Sequence, residues 1–147
     1  MEYTNQIKVE MMNQSENEAL ARTVAAAFAA QLDPTVEELT EIKTAVSEAV
    51  SNAIIHAYGE GQKGPVIMEM SAVDSGKIIM VVEDRGIGIE DIERAREPLF
   101  TTGNSEERSG MGFTVMESFM DKVIVESAPG EGTRVTLIKV LDRINGF

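Results

Sequence analysis

The chain has no cysteine among its 147 residues, which excludes disulfides and thiolate metal sites. His56 is the only histidine. A Ser-His-Asp triad or a multi-histidine metal centre would therefore rest on that one residue, and a general base is more naturally a carboxylate. A bound divalent ion would have oxygen ligands, the set that Mg²⁺ prefers. Cations are scarce, with 13 Lys and Arg against 25 Asp and Glu for a net charge of −12. Nucleic-acid affinity draws on counterions released by a basic surface, so direct binding to DNA or RNA is not expected. An acidic chain can still act on transcription through a basic protein partner. No run approaches the roughly 18 consecutive apolar residues of a membrane span. MEYTNQIKVE lacks the basic-then-apolar pattern of a signal peptide. No GxxxxGK[ST] occurs, so no P-loop is present. These absences point to a cytoplasmic protein with no membrane association.

What is present suits one globular domain over residues 1–147, with an apolar fraction of 43% and enough chain to bury most of it. IKVEMMN (6–12) reads as a strand. SENEAL (15–20) has the form of a capping box, Ser15 with Glu18. A helix to about Leu32 follows, with Leu20, Val24 and Phe28 at four-residue spacing. Asp33-Pro34 stops it, Pro34 with Thr35 opens a second helix to about Tyr58, and Gly59 is placed to end that one. VIMEMSAV (66–73) and KIIMVVED (77–84) form a hairpin around Asp74-Ser75-Gly76. A short helix covers 90–95, and residues 96–110 read as a mobile loop. MGFTVMESFM (111–120) is a helix, and KVIVESA (122–128) with TRVTLIKVL (133–141) is a second hairpin. The order predicts an α+β two-layer sandwich, helices packed on one face of a mainly antiparallel sheet. The nine methionines are assigned to gaps in the core.

Three stretches could carry chemistry. On the second helix, Leu39, Ile42, Val46, Val50, Ala53 and Ala57 make an apolar stripe. Glu48 and Asn52 lie one turn apart, roughly 120–160° from its centre. They are either a solvated polar face or the lining of a site. An amide oxygen can ligate Mg²⁺ without adding charge beside phosphates, and a carboxylate can take a proton from an attacking hydroxyl. EDRGIGI puts Asp84, Gly86 and Gly88 just after a strand, as an ordinary turn or as a pocket wall where backbone approaches a ligand. Gly110-Met111-Gly112-Phe113 opens a later helix, where glycine amides suit a phosphate.

In this order, EAVSNAIIHAYG, EDRGIGI and SGMGFTVM resemble the three boxes of the GHKL ATPase/kinase superfamily. Gly132-Thr133 resembles its final box. QLDPTVEELTEIKTAVSEAVSNAIIHAYG, REPLFTT and ERSGMGFTVMESFMD are further similar to the anti-sigma F factor family, serine-protein kinases of spore-forming bacteria. The resemblance runs from Asn17 to Leu137. It implies a Bergerat-type ATP-binding fold and a homodimer that uses ATP and Mg²⁺. It also implies that the protein holds a sporulation sigma factor inactive and phosphorylates a serine on an anti-anti-sigma partner.

Carried over by residue, the resemblance implies Glu48 as catalytic carboxylate and Asn52 as Mg²⁺ ligand. Asp84, with Thr133 beside it, would recognise adenine in a pocket shaped by Gly86 and Gly88. Phosphate contacts would fall on Gly110, Met111 and Gly112, and on a lid containing Thr101, Thr102, Arg108 and Ser109. Related members carry a lysine soon after the paired threonines. Gly103-Asn104 follows here, which moves the expected charge stabilisation onto Arg108. Arg22 falls where the family contacts its sigma factor, although composition alone favours a solvated or locally paired arginine. Two other readings remain: the same biochemistry on a general-stress sigma factor, or an ATP-gated binding module without kinase activity.

Overall fold

Side chains of alternating strand positions and of two long helices meet along one plane. The computed structural model describes residues 3–59, 61–74, 76–97 and 112–142. Its order is β1 (Tyr3–Met12), α1 (Glu16–Ala30), α2 (Val36–His56), β2 (Pro65–Val73), β3 (Lys77–Asp84), α3 (Ile92–Ala95), α4 (Gly112–Phe119), β4 (Lys122–Ser127) and β5 (Thr133–Val140). The strands form one sheet in the order β1-β2-β3-β5-β4, and all four pairings are antiparallel.

Register explains where the core lies. Ile7, Met70, Met80, Leu137 and Val123 stand side by side across the five strands. Met70, Met80, Leu137 and Val123 belong to a single apolar cluster that includes the helices, and Ile7 packs against it. Strand side chains alternate between faces, so the helices cover one face of the sheet. Met68, Met70, Met80 and Met116 are fully buried in this layer, where flexible thioethers fill irregular gaps. Above them, Ile42, Val46 and Val50 of α2 are also fully buried. Lys139 of β5 clamps the layers from the side, donating to Glu41 Oε1 and to the Phe119 carbonyl, both at 2.7 Å.

Several expected details change. Ser15 is already in the right-handed helical region and makes no side-chain cap bond. Its expected partner Glu18 is engaged elsewhere, accepting from Arg22 at 3.0 Å and from Ser47 at 2.5 Å. The reciprocal box sits on α2 instead. Thr35 Oγ1 accepts the Glu38 N–H at 3.0 Å, and Glu38 Oε1 accepts the Thr35 N–H at 2.9 Å. The buried face of α1 is Ala21, Ala25, Phe28 and Ala29, while Leu20 is 53% exposed. Three alanines let α1 lie close against α2, and that turns Leu20 outward. Helix α2 stops at His56, and Gly59 keeps a negative φ. Its last turn is redirected because the Ala57 carbonyl accepts the Ile87 N–H from outside the helix.

The capping assignment gives opposite expectations for two substitutions. Thr35→Ala should lower unfolding stability in urea by about 0.5–2 kcal/mol. Ser15→Ala, at a site with no cap bond, should stay within about 0.5 kcal/mol of wild type. A Ser15→Ala loss as large as that of Thr35→Ala would contradict the assignment.

Candidate functional site

Asp84 closes β3, Thr133 opens β5 and Ser127 closes β4. The registers Asp84↔Thr133 and Ser127↔Thr133 set the three in one row at the sheet's end. Asp84 is buried, and its Oδ1 accepts the N–H of Gly86 at 2.9 Å and of Thr133 at 3.2 Å. Burial pushes its carboxyl pKa up, the two N–H bonds oppose this, and the nearby Glu83 charge adds to the rise. No described residue donates to Asp84 Oδ2.

After Asp84 the chain crosses the C-terminal end of α2. Ile87 N–H donates to the Ala57 carbonyl at 2.7 Å, and Gly130 N–H donates to the Ile87 carbonyl at 2.6 Å. Ile89 N–H donates to Ser127 Oγ at 2.7 Å. A Cβ on Gly86 would lie 1.8 Å from the Ala57 oxygen. Gly88 has φ +78°, and its Cβ would lie 2.0 Å from the Ala128 oxygen. The two glycines of Asp-x-Gly-x-Gly are thus required by backbone packing on both sides of the turn.

This junction forms one wall of a cleft of about 980 Å³ between α2, the sheet's end, the 87–95 segment and Phe113, a volume suited to a small-molecule ligand. Asn52, Asp84, Gly88 and Thr133 line it. Gly86 packs behind the wall, on Ala57. Glu48 and Gly112 adjoin Asn52: a Cβ on Gly112 would come within 3.3 Å of both Glu48 Oε1 and Asn52 Nδ2. Arg22 belongs to α1, away from the cleft, and pairs with Glu18 at 3.0 Å. Thr101, Thr102, Arg108, Ser109, Gly110 and Met111, with most of the proposed lid, lie outside the described residues. His56, the sole histidine, lines the cleft one turn beyond Asn52, and Ile87 and Ser127, which sequence reasoning did not single out, line it too. Pairing the second hairpin around its Gly-rich turn would have set Ser127 opposite Thr133.

Asn52 is the unusual member. Its side-chain Nδ2 is buried and has no hydrogen-bond partner among the described residues, a state that costs about 1–3 kcal/mol unless a ligand resolves it. Among the described residues no group of three or more acidic, His or Cys side chains could hold a metal alone. The Asn52 Nδ2 suits a phosphate oxygen as acceptor, and Asn52 Oδ1 is the atom that could ligate a Mg²⁺ whose remaining ligands would be phosphate and water oxygens, the usual arrangement for that ion. The rim carries Glu90, Asp91 and Glu93 against Arg94, so a polyanionic ligand would need such a cation beside it.

The histidine kinase-like ATPase domain matches residues 12–139, so the cleft is that of an ATPase domain of this class. In overall shape the chain is similar to the RsbU and RsbW domains of a Mycobacterium tuberculosis protein, with a TM-score of 0.70 at 20% identity, covering 98% of this chain and 34% of that one. At that identity the likeness speaks for the fold alone. Sequence relatives are much nearer. An anti-sigma F factor of Caldanaerobacter subterraneus subsp. tengcongensis is 56% identical over 143 residues, 97% of this chain and 99% of its own. One from Pasteuria penetrans is 54% identical over 137 residues, 93% and 91% of the two chains. The chain belongs to the anti-sigma F factor family of histidine kinase-like ATPases. No helix among the described residues is long and apolar enough to cross a membrane.

The strain at Asp84 has a measurable sign. Asp84→Asn keeps an oxygen to accept both N–H groups and removes a buried charge, so its stability at pH 7 should equal or exceed that of wild type. A raised folded-state pKa means the wild-type carboxylate costs stability above its ordinary pKa near 3.8. The wild type should therefore lose stability relative to Asp84→Asn as pH rises from about 4 to 7. Parallel pH profiles for the two proteins would exclude this account.

Proposed function

We propose that this protein is an ATP-dependent protein-serine kinase and anti-sigma factor. It binds and inhibits a sporulation sigma factor and phosphorylates a serine on an anti-anti-sigma protein. The observation that supports the reading is the buried Nδ2 of Asn52, a donor with no partner among the described residues that a phosphate oxygen would accept, one helical turn from Glu48 and against Gly112 at the head of α4. Nucleotide chemistry gives each group a task. Asp84 Oδ2 accepts from the exocyclic amine of adenine, and the sheet's end supports the ring. Asn52 Oδ1 would hold a Mg²⁺, which when bound would neutralise charge on the phosphates. The serine oxygen of the partner attacks the γ-phosphorus, the bond to the bridging oxygen breaks, and ADP leaves. Glu48 orients that hydroxyl and takes its proton. Positioning and electrostatics dominate such a transfer, so little covalent chemistry is asked of the protein.

The test is transfer of a radiolabelled γ-phosphate from ATP to a purified anti-anti-sigma protein, with sigma-factor capture measured in parallel. Glu48→Gln should slow transfer by about 10²–10⁴-fold and leave ATP and sigma-factor binding in place. A mutant that transfers at the wild-type rate would remove Glu48 from the chemistry. Asn52→Ala should keep or raise folding stability, since it deletes a buried unsatisfied group, and lose Mg²⁺-dependent ATP affinity. Calorimetry showing unchanged Mg·ATP affinity would take Asn52 out of the site. Captured sigma factor without any phosphate transfer would leave an ATP-gated binding module.

Partner contact is proposed for Arg22, following the family. Its side chain is 41% exposed while paired with Glu18, so an acidic partner could reach it. Arg22→Glu should weaken sigma-factor binding by about 1 kcal/mol for a rim pair, or about 2–5 kcal/mol for a desolvated one. ATP affinity should not change. Equal sigma-factor affinities for the two proteins would return Arg22 to an intrahelical role.

A further inference from the structure

Ser127 sits where three hydrogen-bonding groups converge, and their geometry settles which atom donates to which. Its Oγ lies 2.7 Å from the Ile89 N–H, 2.8 Å from the Gly132 carbonyl oxygen and 2.9 Å from Thr133 Oγ1. A hydroxyl has one hydrogen and two lone pairs. Ile89 can only donate and takes one lone pair. The Gly132 carbonyl can only accept, so at 2.8 Å the hydrogen between the two oxygens must be that of Ser127. The remaining lone pair of Ser127 then faces Thr133, and the Thr133 hydroxyl must donate to it. The reverse assignment, Ser127 donating to Thr133, would press two oxygens together at 2.8 Å with no hydrogen between them.

Thr133 therefore spends its only hydroxyl hydrogen on Ser127 and keeps lone pairs alone for the cleft it lines. Asp84, its register neighbour, spends Oδ1 on two backbone N–H groups and keeps Oδ2, again an acceptor. We infer that Ser127 is a positioning residue for base specificity: by holding the Thr133 hydroxyl as an acceptor, it gives the cleft floor an acceptor-only edge that selects a nucleotide base carrying an exocyclic amine and rejects one of the same shape carrying an acceptor there. The inference rests on the nucleotide reading of the cleft given above. It goes further in assigning a hydrogen-bond direction to Thr133 and a role to a residue two strands away from Asp84. Ser127 also anchors the 87–91 wall through Ile89, so loss of its hydroxyl has a general effect on binding, and the test must separate the two.

Two probes of matched shape do so. N6-methyl-ATP keeps one amine hydrogen, whereas 6-methoxypurine riboside triphosphate presents an oxygen with the same methyl group. Calorimetry on the wild type should show ATP binding, with N6-methyl-ATP preferred over the methoxy analogue by at least about 30-fold, the range expected when buried acceptors lose their donor. In Ser127→Ala the Thr133 hydroxyl is released to donate toward the ligand, and the preference should fall below about tenfold even if all nucleotides bind more weakly. Ser127→Thr retains the hydroxyl and should restore the wild-type preference. Wild-type protein that binds the two analogues equally would overturn the inference without any variant. So would a Ser127→Ala protein that loses affinity for both by the same factor, since that is the signature of a wall anchor alone. Failure of wild type to bind ATP itself would overturn the nucleotide reading, and the inference with it.

Discussion

The Ala57 carbonyl at the end of α2 accepts the Ile87 N–H at 2.7 Å, and the geometry of the cleft depends on that bond. It ties the helix bearing Glu48 and Asn52 to the turn that leaves Asp84. The same Ile87 accepts from Gly130 in the β4–β5 turn at 2.6 Å, so three segments distant in sequence share one residue. Tyr58 reinforces the joint: its hydroxyl donates to the Pro65 carbonyl at 2.5 Å and accepts the Arg85 N–H at 2.9 Å. Such a junction needs backbone to touch backbone. Side chains at 86 and 88 would hold the segments apart, and with them the Asp84–Thr133–Ser127 row and the amide of Asn52. The glycines act less by flexing than by being thin.

The cleft's charges pull the other way. The chain carries −12 overall, and Glu90, Asp91 and Glu93 stand on the rim. Asp91 is partly occupied, its Oδ1 capping α3 through the Arg94 N–H at 3.1 Å. A polyphosphate approaching this surface meets repulsion of order 1 kcal/mol or more per close pair near a protein surface. On the proposed reading, binding would rely on groups that offer positive potential without competing carboxylates: a cation at Asn52 and backbone N–H groups at the head of α4. Asn52 suits such a place better than an aspartate would, because another anion there would add to the repulsion the cation must offset.

Much of this was legible in the sequence, for physical reasons. The two hairpins, the long second helix and the one-sided sheet follow from period-2 and period-3.6 patterns that tertiary contacts had no cause to override. The pairing of Glu48 with Asn52 and the glycine-bearing turn were equally visible. What failed was local competition. The Ser15 box had the right letters, but Glu18 has stronger partners in Arg22 and Ser47, and Ser47 is 29 residues on. Leu20 fitted a four-residue spacing, yet the close face of α1 belongs to alanines. Ser127 stayed hidden because nothing in KVIVESA marks one serine. Its meaning comes from strand register and from the Gly132 carbonyl folded back onto it.

The Glu18 carboxylate, absent from the expected cap, also joins α1 to α2. One oxygen, Oε2, receives both the Arg22 guanidinium at 3.0 Å and the Ser47 hydroxyl at 2.5 Å. Ser47 precedes Glu48 on α2, so α1 and the helix carrying Glu48 and Asn52 meet at that oxygen. A partner carboxylate that takes Arg22 must compete with Glu18, and exchange of one exposed pair for another gains little. Affinity through Arg22 therefore depends on how far the partner excludes water from the new pair. The same exchange leaves Glu18 with Ser47 as its remaining donor, one residue from Glu48. Helices α1 and α2 are thus pinned to each other at a single shared acceptor, next in sequence to Glu48.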